Sequence, residues 1–137
     1  VEYIIYMETE AILKKYRTVA IVGLSPKPDR VSHSVASRLQ KCGFRIVPVR
    51  PGGGEILGEK VYSSLAEIPF PVEIVDVFRR SETIGPIADE AVNIGAKVLW
   101  LQEGITNPEA EERARAGGLT VFSDICILKE CHRAGLA

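Results

Sequence analysis

The chain is predicted to be an α/β domain with three layers: helices packed on both faces of a five-stranded, mostly parallel sheet. Three observations carry that expectation. Short continuous apolar runs such as Val19–Val22 recur along the chain, as buried parallel strands require. Segments with apolar residues at helical spacing alternate with them. The runs end in loops rich in glycine, proline and cations. The 137 residues suit one domain spanning 1–137, and 46% hydrophobic content is enough for a core.

Taken in order, Thr9 precedes a helical pattern with Ala11, Ile12 and Tyr16 on one side and Lys14 and Lys15 on the other. Val19–Val22 is the first strand. Val35, Ala36, Leu39 and Cys42 then mark a helix that Gly43 ends. Arg45–Val49 is the second strand, and residues 50–58, RPGGGEILG, read as a loop. Ser63 or Ser64 can cap a short helical turn before Pro69. Glu73–Phe78 is the third strand. A helix follows, with Ile84, Ile87, Ala88, Ala91 and Val92 on one face, Pro86 in or just ahead of its first turn, and Gly95 after it. Lys97–Leu101 is the fourth strand. Asn107-Pro108-Glu109 is a helix start built of cap, proline and acid, and Gly117-Gly118 ends that helix. Leu119–Phe122 is the fifth strand and Ile125–Arg133 a final helix. Right-handed crossovers make the sheet Rossmann-like, with strand order 3-2-1-4-5 expected and the flavodoxin-like 2-1-3-4-5 as rival.

The formal net charge of −1 argues against bulk nucleic-acid binding. Cys42, Cys126 and Cys131 form an odd set without disulfide-framework spacing, which points to a reduced, cytoplasmic protein. The opening VEYIIYMETEAILKK has no basic leader region and reads as neither a signal peptide nor a spanning helix.

Ligands of open α/β sheets sit off the carboxyl ends of the strands. Gly23 allows a tight turn there, Ser25 offers a hydroxyl, and Lys27 and Arg30 supply charge. Ser32 or Ser34 can cap the helix or bond a phosphate at its N-terminus. The dinucleotide fingerprint needs glycines two and five residues after Gly23, where Ser25 and Pro28 stand instead. A NAD site also needs an acid at the end of the second strand. Gln40 to Pro51 contains none, and Arg50 stands there, better suited to a phosphorylated ribose. NADP and coenzyme A both carry one. Of Arg79 and Arg80, one is expected to grip a pyrophosphate and the other to pair with Asp76 or Glu82.

Gln102 and Gly104 lie where an amide-bearing ligand chain can run, and Glu103 is the one carboxylate there to weigh as a base. Trp100 is expected in the core or against a partner subunit. His33 sits at the start of the phosphate-loop helix, where it can touch a ligand or stand exposed. Cys126, Cys131 and His132 do not form a standard zinc pattern and read as small core residues of a terminal helix, with Cys126, after Asp124 near a strand end, able to face the site instead; no metal and no catalytic residue is expected.

The segments VGLSPKPDRVSHSVASRL, VPVRP…EILGEKVYSSLAEIP, VEIVDVFRRSE and GAKVLWLQEGITNPEA together resemble the small bacterial and archaeal CoA-binding proteins. These are single Rossmann-like domains similar to the CoA-binding domain of the succinyl-CoA synthetase alpha subunit. The likeness runs from about Thr18 to His132. It implies coenzyme A across the carboxyl edge, with Gly23, Leu24, Ser25, Lys27, Arg30 and Ser32 on the phosphates and Val49, Arg50 and Pro51 bordering adenine and ribose. Phe78, Arg79 and Arg80 would line the site, and Gln102, Glu103 and Gly104 would approach the pantetheine. The family usually has Asn where Arg50 stands. The synthetase's phosphohistidine segment has no counterpart, since the only histidines are His33 and His132. The expectation is therefore non-catalytic binding of coenzyme A or an acyl-CoA, by a regulatory or carrier module, with a homo-oligomer or partner enzyme possible and neither nucleic acid nor membrane involved. The alternative is an NADP-dependent oxidoreductase domain.

Overall fold

The computed structural model describes residues 2–137. Five strands form one parallel sheet: β1 (Thr18–Val22), β2 (Arg45–Val49), β5 (Ile74–Val77), β6 (Val98–Leu101) and β7 (Thr120–Phe122). Each expected strand is present, with ends shifted by no more than one residue.

The strand order is β2-β1-β5-β6-β7. Counting only the sheet's own strands, this is 2-1-3-4-5, so the expected 3-2-1-4-5 is corrected to its rival. Pro48 supplies the physical reason. It lies inside β2 opposite Ile21, and proline has no N–H to give a second neighbour. Its carbonyl, on the sheet's outer side, accepts the Tyr62 N–H at 3.0 Å. A strand with this proline suits an edge, and the edge is where β2 lies.

The expected loop 50–58 also needs correction. Its second half forms a small antiparallel hairpin of β3 (Glu55–Ile56) and β4 (Glu59–Lys60). Leu57 and Gly58, both at positive φ (54° and 78°), make the two-residue turn, as a primed hairpin turn requires. Ile56 is buried, and the Leu57 carbonyl accepts from Gln40 Nε2 at 3.0 Å.

Helices α1 (Glu2–Lys15), α2 (Val31–Lys41) and α5 (Ile127–Arg133) cover one face of the sheet, and α3 (Ile84–Asn93) and α4 (Pro108–Ala116) the other. Helix α1 begins well before Thr9, which lies mid-helix and donates its hydroxyl to Glu130 Oε1 at 2.8 Å. Thr9 thus ties α1 to α5 rather than starting a helix. The final helix opens at Ile127, two residues later than expected. The Asn107 cap is formed, with Oδ1 accepting the Ala110 N–H at 3.1 Å. The expected turn before Pro69 is a 3-10 turn at Leu65–Glu67, whose Ser64 makes no side-chain cap. Carboxylates serve instead: Glu67 accepts from the Ser63 N–H and Glu90 from the Leu65 N–H.

On the α1–α2–α5 face, Val19, Ile21, Ile46, Ile74 and Trp100 pack against Leu13, Leu39 and Ile127. Trp100 is fully buried, and its indole N–H donates to the Ile125 carbonyl at 2.8 Å. That bond satisfies the one polar atom that a buried Trp carries, so Trp100 belongs to the core.

Candidate functional site at the carboxyl edge

With this order, β1 is followed by a connection to one side of the sheet and lies beside β5 on the other. The loops leaving β1 and β5 diverge there, and the resulting crevice is where open α/β sheets take ligands. The two loops touch at their first residues. Phe78 N–H donates to Val22 O at 2.8 Å, and Gly23 N–H donates to Val49 O at 2.9 Å. Gly23 has φ +88°, and a Cβ there would lie 2.4 Å from the Phe78 carbonyl oxygen and 3.2 Å from Arg79 Nε. Only glycine fits, both for conformation and for the closeness of the crossing.

Beyond Gly23 the loop is held from within. Leu24 is buried, so only its backbone can face a ligand. Ser25 N–H donates to Ser32 Oγ at 3.0 Å, and Lys27 N–H donates to Ser25 Oγ at 3.1 Å. Ser32 is itself buried and shapes the loop. Arg30 is the N-cap of α2 with no side-chain cap, so the first N–H groups of the helix lack that partner. Lys27 and Arg30 are exposed.

Arg50 leaves the end of β2 and reaches toward the same loop. Its Nη1 donates to the Leu24 carbonyl and its Nε to the Pro51 carbonyl, each at a long 3.4 Å. Val49 is buried and Pro51 exposed. Arg80 pairs with Glu82 at 3.7 Å, both side chains well exposed, whereas Arg79 is half-buried against the Gly23 turn. Among the described residues Lys27, Arg30, Arg50 and Arg79 make no ion pair. Such a set of uncommitted cations beside a helix N-terminus is chemistry for a multiply charged anion.

An open cleft of about 560 Å³ continues from Phe78 and Arg79 to Gly104 and Ile105. At its far side the expected residues are each engaged by another part of the chain. Gln102 is buried, and its Oε1 accepts the Ile127 N–H at 3.1 Å, capping α5. Glu103 pairs with Lys129 at 2.9 Å on the surface, which raises the Lys129 pKa, first through that hydrogen bond. Gly104, at φ +82°, donates its N–H to Asp124 Oδ1 at 2.7 Å. Asp124 itself sits at positive φ (58°). Ser81 links the β5 and β6 loops: its Oγ accepts the Thr106 N–H and its carbonyl the Asn107 amide.

Asp76 pairs with neither arginine. It is fully buried on β5, and among the described residues neither carboxyl oxygen has a hydrogen-bond partner. Burial alone pushes its pKa well above the usual carboxylate range. Cys131 is buried on α5, and burial, with smaller contributions from Cys42, Asp76 and Cys126, pushes its thiol up to about 12. His33 is half-buried at the start of α2, and His132 is exposed on α5. No group of three or more His, Cys, Asp or Glu side chains is placed to hold a metal among the described residues.

An α/β chain with an anion crevice at the switch between β1 and β5 belongs to the nucleotide-binding class of open sheets. The sequence narrows this further. Residues 17–132 match the family model described as "CoA binding domain", and the chain is a member of that family. It is 45% identical over 120 residues to the uncharacterized protein YneT of Bacillus subtilis strain 168, covering 88% of this chain and 89% of that one. It is 30% identical over 99 residues to the alpha subunit of acetate–CoA ligase [ADP-forming] I of Pyrococcus furiosus. That match covers 68% of this chain but only 21% of the subunit, so the chain spans about a fifth of it. A solved structure of a hypothetical protein from Pyrococcus horikoshii OT3 superposes with a TM-score of 0.91 at 35% identity, covering 94% of this chain and 91% of that one. No helix among the described residues is long and apolar enough to cross a membrane.

Proposed function

We propose that this chain is a single-domain, cytoplasmic coenzyme A-binding protein that holds the cofactor or its acyl esters without chemistry of its own. The carrying observation is the set of uncommitted cations around the β1–β5 crossing, in a chain of the CoA-binding family. In this reading the Gly23–Ser25 turn, Lys27, Arg30 and the N-terminus of α2 take the pyrophosphate. Arg50 takes the ribose phosphate beside Val49 and Pro51, and Arg79, beside the Gly23 turn, lines the site. Phe78, exposed Arg80 and the Gly104 backbone border the path of the pantetheine arm. Ser32 and Gln102 contribute by holding loop and helix in place. The one carboxylate weighed as a base, Glu103, is tied to Lys129, which supports binding over catalysis. The module would serve a partner enzyme or a second copy as a regulator or carrier.

A thermal-shift comparison tests this. Coenzyme A is expected to raise Tm in a concentration-dependent way. Stabilisation by NADP and not by coenzyme A would replace this reading with the oxidoreductase one.

A further inference from the structure

The buried Asp76 stands on β5, two residues before Phe78 at the crevice. In the sheet register Asp76 stands between Ile21 of β1 and Trp100 of β6. Two residues beyond Ile21 and Asp76, β1 and β5 deliver Gly23 and Phe78, whose close crossing forms the floor of the site. Phe78 packs against the same apolar cluster that surrounds Asp76's neighbours Ile21 and Trp100.

Among the described residues, no element packed here brings a counter-charge to Asp76. The indole N–H of Trp100 is used by Ile125 O. Helix α5 offers the Cys131 thiol, which responds to Asp76 and also to Cys42 at the end of α2, to Cys126 and to Arg17. Glu130 of α5 is buried but committed to Thr9 and Arg133. A carboxylate in such surroundings would bear its full desolvation cost, whereas a carboxylic acid bears only that of an unpaired polar group.

We propose that Asp76 is a proton switch for the anion site: as a neutral acid it keeps the β1–β5 crossing closed and the site competent, and its ionisation draws water into the sheet and loosens the crossing. The coupling is reciprocal, because a polyanion bound above Asp76 disfavours a second negative charge below it. This regulation rests on the reading of the crevice as a coenzyme A site, but the switch itself can be read without ligand.

The sign follows from linkage. Unfolded Asp76 loses its proton near about pH 3.9, while the folded form keeps it. The native state then binds more protons than the unfolded one, and its stability falls as pH rises until folded Asp76 itself ionises. The test compares wild type with Asp76→Asn and Asp76→Val, the second guarding against a misfolded amide variant, by urea unfolding from pH 5 to 9. The wild-type unfolding constant is expected to climb relative to either variant by about tenfold per pH unit until folded Asp76 titrates. Amide exchange at Gly23 and Phe78, compared at equal pH, is expected to quicken in wild type and not in the variants at the alkaline end. Coenzyme A affinity is expected to fall with pH more steeply in wild type than in the variants. A constant ratio of unfolding constants, or equal exchange in wild type and variants across the range, overturns the switch. Failure of coenzyme A to bind any form at any pH overturns the coenzyme A reading and leaves the unfolding and exchange results to decide the switch.

Discussion

Beside β1 and β5, Lys27, Arg30, Arg50 and Arg79 stand without ionic partners among the described residues, and the loop that carries the first two is braced by Ser25 and Ser32. Beside β6, Gln102, Glu103 and Gly104 are each engaged, with Ile127, Lys129 and Asp124. Both segments lie on the same carboxyl edge, and both attracted attention as ligand contacts. The difference separates two jobs. Uncommitted charge on a braced loop is available to a ligand at little reorganisation cost. Engaged side chains mainly hold the edge in shape and leave only surface and backbone for a ligand's less polar arm.

Five substitutions break or sharpen this contrast. Gly23→Ala should do most damage, since the added methyl meets the Phe78 carbonyl at a positive φ. A loss of about 2–4 kcal/mol in urea unfolding is expected from overpacking and left-handed strain together, along with loss of coenzyme A binding. Arg30→Ala and Arg79→Ala should each weaken coenzyme A binding by about 1–3 kcal/mol, as for a lost charge-assisted hydrogen bond, with unfolding midpoints unmoved. Gln102→Leu should reverse that pattern. It strands the buried Ile127 N–H and should cost about 1–2 kcal/mol of stability, seen in unfolding, with a much smaller change in ligand affinity than at Arg30. Lys129→Ala, which breaks an exposed pair, should leave both Tm and affinity at wild-type values. If Gln102→Leu abolished binding while Arg30→Ala did not, the division of the edge would be the wrong way round.

The strands were legible because they are short, predominantly apolar runs buried on both faces, uninterrupted at Val19–Val22 and Val98–Leu101. Their order was not read from periodicity, although Pro48 carried the information: a strand that cannot donate outward belongs at an edge. The hairpin at 55–60 was hidden by its brevity and by the glycines before it. In the site, the residue types that attract anions were readable at Lys27, Arg30 and Arg79. What could not be read was which side chains were already spent. The partners of Gln102 and Glu103 lie 25 and 26 residues further along the chain, and only the fold brings them together. Asp76 was expected only as a possible partner of Arg79 or Arg80, and its isolation is a property of packing on both neighbouring strands.

The central claim is that free cations at the β1–β5 crossing hold coenzyme A. Calorimetric titration of coenzyme A into wild type and into the Arg30→Ala/Arg79→Ala double variant addresses it most directly. One saturable site per chain in wild type, weakened at least tenfold in the double variant at unchanged stability, is the predicted result. Equal affinity in both proteins would contradict the account.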